Sequence, residues 1–595
     1  MGPDSDDALW GHFGPENGEV EIVNDPPLHW QPVAPLSTHI LHQPSRTISV
    51  DSSRPYEPDA ELTKRPYYKD LVDVRESVFK IQSWRENQLE TICSVMDGYD
   101  TFNLMPTGGG KSLTFQLPAV VMNRLKKQIT IVISPLIALM VDQQRSLEER
   151  GVNTIILNSE STQHHASLLH SHGSRPALVY VSPEKIITSS WLQRTLLELY
   201  NQDRLFMLAV DEAHTITSWG NTFRETLSEL CWLRENLPNT PIMALTATAT
   251  VQHREEIINT LCISRCKMFT MSLNRPNLNY VVKRKSDRNG LIKDIAEFIQ
   301  SKHMGQTGII YRQSRKDCED LATILTEAWG IHAQAFHAKL EPEEKKRVQA
   351  MWQRGEIKVV VATIAFGMGV DKKDVRFVIH YALPGSMSEY YQETGRAGRD
   401  GNPSDCILYY QYSDAQWLMK CAFQDGKNEL ASKQLRADAR RVVEYCLNNT
   451  DCRRTQTLSY FSQEFPREMC KGQCDNCRDK SPINWEDVSY EAYDFIRLAE
   501  EVHASRQDAT RIMLIDTFLG KTGESVKNKR FDQLKSFGVR RGTNRGRAER
   551  LFDELTCKQV FEPHYVSNNN THKKQLTEYF LVCAMRSLVC SLYRD

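Results

Sequence analysis

The 595-residue chain has no excess of either charge: 74 Lys and Arg stand against 75 Asp and Glu, a formal net charge of −1. A polyanion finds no global attraction here, so phosphate binding has to come from local basic clusters. Long hydrophobic runs are missing as well. The run at 581–590 is too short for a membrane span and carries Arg586 in its middle. No charged-then-apolar signal pattern opens the chain, and a soluble protein without membrane contact is expected. Paired cysteines are also absent: the 15 cysteines form an odd set, scattered singly except between Cys452 and Cys477. That pattern argues against a disulfide framework and for a reducing compartment, and leaves metal as the better reading of the cluster. No short-period repeat is found.

The length exceeds what one core usually holds, so two to four domains are expected. The first 66 residues hold ten of the 24 prolines among Ser, Asp, Glu and His, and residues 1–69 are expected to be disordered. From about Asp70, short β-rich apolar runs alternate with longer amphipathic stretches, the sequence form of βαβ units around a parallel sheet. Candidate strands are 128–134, 177–181, 205–211 and 241–246, then 308–311, 359–363, 377–381 and 404–410 after a polar link near 283–289. Two α/β lobes, 70–283 and 284–412, are expected. A helical, cysteine-bearing segment should follow at 413–482, and a small domain at 483–595 with a polar tip at 568–570.

Residues 104–112 read Leu-Met-Pro-Thr-Gly-Gly-Gly-Lys-Ser. Gly108, Gly109 and Gly110, after Thr107, let bare backbone N–H groups wrap a phosphate. Lys111 can neutralise the outer phosphates, and the Ser112 hydroxyl suits Mg²⁺. Met105 replaces the first glycine of the strict phosphate-loop pattern, and a flexible glycine turn would read the same in isolation. Context narrows the choice. Asp211-Glu212-Ala213-His214 follows an apolar strand and so sits at the C-terminal sheet edge, where open α/β sheets bind ligands. One carboxylate can hold Mg²⁺ while the next orients a water. Thr246, Thr248 and Thr250, about 30 residues on, suit a nucleotide-sensing contact between lobes. In the second lobe, Gln392 through Asp400 places Arg396 and Arg399 three apart between glycines, fitting a phosphate clamp or arginine finger.

Cys452, Cys470, Cys474 and Cys477 offer four thiolates with 17, 3 and 2 residues between them, sufficient for a closed tetrahedral structural Zn²⁺ site. Between Lys521 and Arg550, ten basic residues face three acids, a charge suited to duplex phosphates without sequence readout.

Taken in order, these motifs resemble superfamily 2 helicases and, in detail, the RecQ family. The match runs from about Phe79 to Cys477 and includes Trp84-Arg85 to Gln88, the run 134–143, Asn274-Arg275-Pro276-Asn277-Leu278, the run 359–371, and 392–401. The resemblance implies an α/β fold of two tandem RecA-like parallel-sheet lobes, followed by a zinc-binding helical subdomain and a winged-helix domain. It implies ATP with Mg²⁺ as the fuel and single- and double-stranded DNA as partners, with 3′ to 5′ movement and a nuclear location. Arg85 and Gln88 would read adenine, since a Gln amide offers both a donor and an acceptor. Lys111, Ser112 and Asp211 would hold phosphates and Mg²⁺, Glu212 would polarise the attacking water, and Gln392, Arg396 and Arg399 would complete the site from the second lobe.

His214, Trp219, Phe223 and Arg224 would couple DNA to hydrolysis, with the aromatics stacking on bases. Here Asn221 and Thr222 stand where the family usually has His and Asp, so this coupling is expected to differ. Lys80 and Ile81 replace a small residue and a frequently aromatic one near the adenine. Arg540, Arg541 and Arg545 would grip duplex DNA, beside a wing around 564–574 that looks short. Protein partners are expected at the Pro-rich N-terminal segment. An RNA helicase of the DEAH-box kind shares the letters of 211–214, but the run 359–371 and the four cysteines favour RecQ. A non-catalytic annealing protein is disfavoured by intact Lys111, Asp211, Glu212, Arg396 and Arg399.

Overall fold

In the computed structural model, residues 56, 58–158, 169, 175–215, 230–364, 366, 372–424, 429–568 and 575–582 are described. Seven strands build a first, all-parallel sheet: β1 (Thr101–Leu104), β2 (Ile129–Ile133), β3 (Thr154–Leu157), β4 (Leu178–Val181), β5 (Leu205–Val210), β6 (Ile242–Thr246) and β7 (Lys267–Thr270). Their order is β3-β4-β2-β5-β6-β1-β7. Every residue of β2, β4, β5 and β6 is buried, because helices cover both faces of a parallel sheet; such strands read as continuous apolar runs.

A second parallel sheet holds β8 (Leu278–Arg284), β9 (Thr307–Tyr311), β10 (Ala333–Phe336), β11 (Val359–Ala362), β12 (Val375–His380) and β13 (Ser404–Tyr410), ordered β10-β11-β9-β12-β13-β8. Here the expected link at 283–289 needs correction. β8 pairs with β13 over seven residues, so the second sheet begins at Leu278. Leu278 and Tyr280 are buried while 281–284 are partly or fully exposed, an edge-strand pattern whose charged end reads as a linker.

The disordered N-terminal expectation also shortens. Residues 1–55 and 57 lie outside the described residues, but 58–69 are folded, with a helix at Ala60–Thr63 and another starting at Tyr68. Tyr56, Leu62, Tyr67 and Tyr68 pack against the first lobe's core, and the Tyr67 hydroxyl donates to Asp97 at 2.7 Å. These aromatics supply burial that the neighbouring prolines conceal.

Helices Tyr412–Gln424 and Glu429–Leu447 lead into the cysteine segment. Beyond it, helices Ser489–Ala504, Arg511–Phe518 and Arg545–Cys557 close around Phe495, Phe518, Phe552 and Phe561, with the Phe495 and Phe518 rings stacked at 4.1 Å. An antiparallel hairpin of β14 (Phe561–Asn568) and β15 (Gln575–Val582) completes this domain. With eight residues per strand it is not the short wing expected; polar residues such as Glu562, His564 and Ser567 mask the strand. Among the described residues, no helix is long and apolar enough to cross a membrane.

Candidate nucleotide site and metal centre

The phosphate loop joins β1 to the helix Lys111–Lys126. Gly108 (φ +82°) and Gly110 (φ +88°) take left-handed backbone that only glycine adopts readily, and Gly110 caps the helix N-terminus. Its first-turn N–H groups and dipole there favour an anion. Met105, the misfit in the pattern, is fully buried and its N–H bonds the Thr246 carbonyl at 3.1 Å. It belongs to the end of the strand, where a side chain fits. Gln88, buried at the loop's flank, accepts from the Arg85 N–H at 2.9 Å and donates to the Gly110 carbonyl at 3.2 Å. The exposed Arg85 guanidinium reaches the Gly108 carbonyl. Lys80 sits at φ +56°, the left-handed backbone that suits the small residue it replaces.

Asp211 and Glu212 follow β5, with β6 lying between β5 and β1. Glu212 Oε1 lies 3.8 Å from Lys111 Nζ, and its Oε2 lies 3.3 Å from His214 Nδ1. The same histidine nitrogen meets Thr246 Oγ1 at 3.0 Å, so Thr246 links the end of β1, just before the phosphate loop, to the acidic motif. Asp211 accepts from Gln143 Nε2 at 3.1 Å. Burial, reinforced by the neighbouring Glu212 charge, pushes the Asp211 carboxyl up to about 6. Burial acts the same way on Glu212, but Lys111, His214, Arg396 and Arg399 together outweigh it and hold that carboxyl below its ordinary value. Burial lowers His214, against the pull of Glu212.

The opposite wall comes from the second lobe. Helix Met387–Thr394 carries the half-buried Gln392 and runs into the turn holding Arg396, which is buried, and Arg399. The lobes meet at this turn: a Cβ on Gly395 would lie 3.7 Å from Thr107 Cβ. Arg275, whose role the sequence did not reveal, fastens the contact. Its guanidinium donates to the Thr107 carbonyl at 3.4 Å and to those of Gly395, Ala397 and Gly398 at 3.0, 2.8 and 2.9 Å. Gln143 was missed likewise, because both act on residues far away in sequence.

Trp219, Asn221, Thr222, Phe223 and Arg224 lie outside the described residues. In the C-terminal domain, Arg540 pairs with Asp494 at 2.7 Å, Arg545 with Asp516 at 2.7 Å and Glu549 at 2.9 Å, and Arg547 with Glu486 and Glu491. The local basic excess is therefore partly neutralised by acids outside the run, whereas Arg541 is exposed.

The sulfur atoms of Cys452, Cys470, Cys474 and Cys477, all buried, lie within 4.8 Å of one another. Tetrahedral zinc with Zn–S bonds of about 2.3 Å asks for such a cluster, so these residues fit the ion. Around them, Arg453 bonds Asp475 at 2.9 Å, Asp475 accepts from the Val282 N–H at 2.8 Å, and Asn476 donates to the Asn448 and Asp451 carbonyls.

Comparison with known proteins places these parts in order. The DEAD/DEAH box helicase model matches residues 85–257, the helicase conserved C-terminal domain 290–401, the RecQ zinc-binding model 412–478 and the RQC domain 482–579. ATP-dependent DNA helicase Q1 of Mus musculus is 40% identical over 467 residues, covering 78% of this chain and 70% of that protein. The chain belongs to the RecQ family. ATP-dependent DNA helicase hus2/rqh1 of Schizosaccharomyces pombe is 40% identical over 508 residues, 84% of this chain, and RecQ-like DNA helicase BLM of Xenopus laevis is 36% identical over 527 residues, 85% of this chain. This RecQ chain aligns with only 38% of the length of each of those two relatives.

Proposed function

We propose that this RecQ protein is an ATP-driven 3′ to 5′ DNA helicase that hydrolyses ATP between its lobes, moves along single-stranded DNA and parts the duplex. One observation carries this reading: Glu212 stands 3.8 Å from Lys111 and, against its burial, is held below its ordinary value first by Lys111 and His214 of its own lobe, with Arg396 and Arg399 of the other lobe adding to them. A buried carboxylate kept charged is an acceptor for a water proton, and both lobes supply cations that favour its charge. The phosphate loop and Lys111 bind and orient the phosphates, with Thr107 facing the second lobe. Arg85 and Gln88 flank the base. Arg396 and Arg399 offset charge developing on the transferring phosphoryl, a contribution of about 10³–10⁵ in rate for an arginine finger.

Mg²⁺, when bound, would neutralise phosphate charge, and Ser112 with Asp211 would hold it. The elevated Asp211 carboxyl, buried beside Glu212, fits a divalent cation that relieves their repulsion. Trp219, Phe223 and Arg224 would contact bases, and His214 would link them to Glu212. Arg541 and neighbouring lysines, with the Arg540 and Arg545 pairs opening, would grip duplex phosphates. In this reading the chain would serve DNA repair, recombination and replication in the nucleus, with protein partners at the Pro-rich N-terminal segment.

The test is ATP hydrolysis with and without single-stranded DNA, beside Lys111→Ala. Stimulation by DNA in the native chain and a loss of at least ~100-fold in the variant are expected. Absence of stimulation overturns the motor, and preferential unwinding of RNA duplexes overturns the substrate.

A further inference from the structure

Cys231 and Cys262 are separated by 31 positions in sequence, and nothing in their spacing links them. Folding places their sulfurs 3.1 Å apart. Cys231 opens the helix Cys231–Asn236 and is half-buried; Cys262 is exposed just beyond the helix Val251–Thr260. The Cys231 sulfur also lies 3.1 Å from the Thr260 carbonyl, which fixes the thiol on the side facing its partner. Cys262 sits at φ +53°, the left-handed position after a helix end that glycine or asparagine usually takes. Among the described residues, neither shares a hydrogen bond with the nucleotide site or the four-cysteine cluster.

We propose that Cys231 and Cys262 form a reversible redox site, a dithiol closed to a disulfide by hydrogen peroxide. The exposed Cys262 thiolate attacks a peroxide oxygen. The O–O bond breaks, and the departing oxide leaves as water after taking a proton, so Cys262 becomes a sulfenic acid. The Cys231 thiolate then attacks that sulfur. An S–S bond forms, the S–O bond breaks, and a second water leaves. The two sulfurs lose two electrons, which the peroxide gains. Closure brings the sulfurs about 1 Å nearer, to the ~2.05 Å of a disulfide. Cys262 is exposed and Cys231 half-buried, so Cys262 meets the oxidant first and Cys231 resolves it; burial and the adjacent Cys262 also push the Cys231 thiol up. The product ties the helix Cys231–Asn236 to the end of the helix Val251–Thr260 within the first lobe. Thiol reductants reopen it.

The full chain is treated with limiting hydrogen peroxide, free thiols are blocked, and peptides are mapped by mass spectrometry with and without reductant. A peptide linked through Cys231 and Cys262 is expected, lost on reduction, while buried Cys93, Cys318 and Cys406 stay unmodified. In Cys231→Ser and Cys262→Ser the link should fall at least ~10-fold, and Cys231→Ser should instead accumulate the oxyacids of Cys262. The linked form should also melt at a higher temperature than the reduced form, a shift absent from both variants. Over-oxidation of Cys262 in the native chain without the link, or modification no faster than that of the buried thiols, overturns the proposal.

Discussion

Asp211 is a buried carboxyl whose charge costs stability until a cation arrives. Its folded pKa, about 6, lies above the ordinary carboxyl value of 3.8, so the folded chain binds this proton more tightly than the unfolded one. Stability from this group is therefore greatest at low pH and is lost as the pH rises from about 3.8 through about 6. Asp211→Asn removes that slope. Without nucleotide or divalent cation at neutral pH the variant should be more stable, by ~1–2 kcal/mol, while losing ATP hydrolysis. Thermal melts across pH 4–7 check this, and a variant that melts lower than the native chain at pH 7 contradicts it. Arg275 behaves oppositely. Its guanidinium spans four carbonyls on both sides of the lobe contact, so Arg275→Ala should cut turnover by ~10–100-fold through misplacement of the Arg396 turn against the phosphate loop. Steady-state kinetics resolve this, because retention of kcat with a changed KM alone would show that Arg275 only helps bind nucleotide.

At the scale of elements, what could be read from the sequence depended on where a strand lies in its sheet. Central strands buried on both faces, such as β4, β5 and β11, are uninterrupted apolar runs and stand out. β1 was not anticipated because Thr101 and Asn103 interrupt it, although both are fully buried and the Asn103 side chain is met by Thr91 Oγ1 at 3.3 Å. Edge strands β7, β8 and β10 alternate or carry charge and look like loops, edge strand β3 is a run of only four residues, and β8 hid the start of the second sheet. The site divides similarly. Lys111, Asp211, Glu212, Arg396 and Arg399 sit in contiguous motifs, whereas Arg275 and Gln143 act on partners more than 65 positions away and carry no local signal. Packing within the sheet gives a prediction of its own. Gly308 in β9 has no room for a side chain, because an added Cβ would enter the Phe377 ring on β12. Gly308→Ala should cost ~1–3 kcal/mol by overpacking, read as a lower urea midpoint; an unchanged midpoint would mean that the ring repacks freely.

Across the whole molecule, the cysteine module is tied to the nucleotide site through the connection between the lobes. Arg454, two residues past the first cysteine, donates to Asn274 Oδ1 at 2.8 Å and to the carbonyls of Arg275 at 2.6 Å, Pro276 at 3.3 Å and Leu278. Gln463 adds bonds to the Leu273 N–H and the Met271 carbonyl. The segment 271–278 is thus pinned by the module at one side while its Arg275 side chain joins the phosphate loop to the Arg396 turn. Zinc release should then do more than melt the module, whose binding energy of ~10–16 kcal/mol doubles as folding energy: it should also slacken the contact between lobes and lower ATP hydrolysis. Arg454→Ala separates the two effects. It removes no cysteine, so metal analysis should find zinc retained, yet it takes the Arg454 donor from three carbonyls of the connection, the buried Leu278 one among them. Both the melting temperature and the DNA-stimulated ATPase rate should fall. If zinc stays, the chain remains folded and the rate is unchanged, the module serves folding alone and the coupling between it and the nucleotide site does not exist.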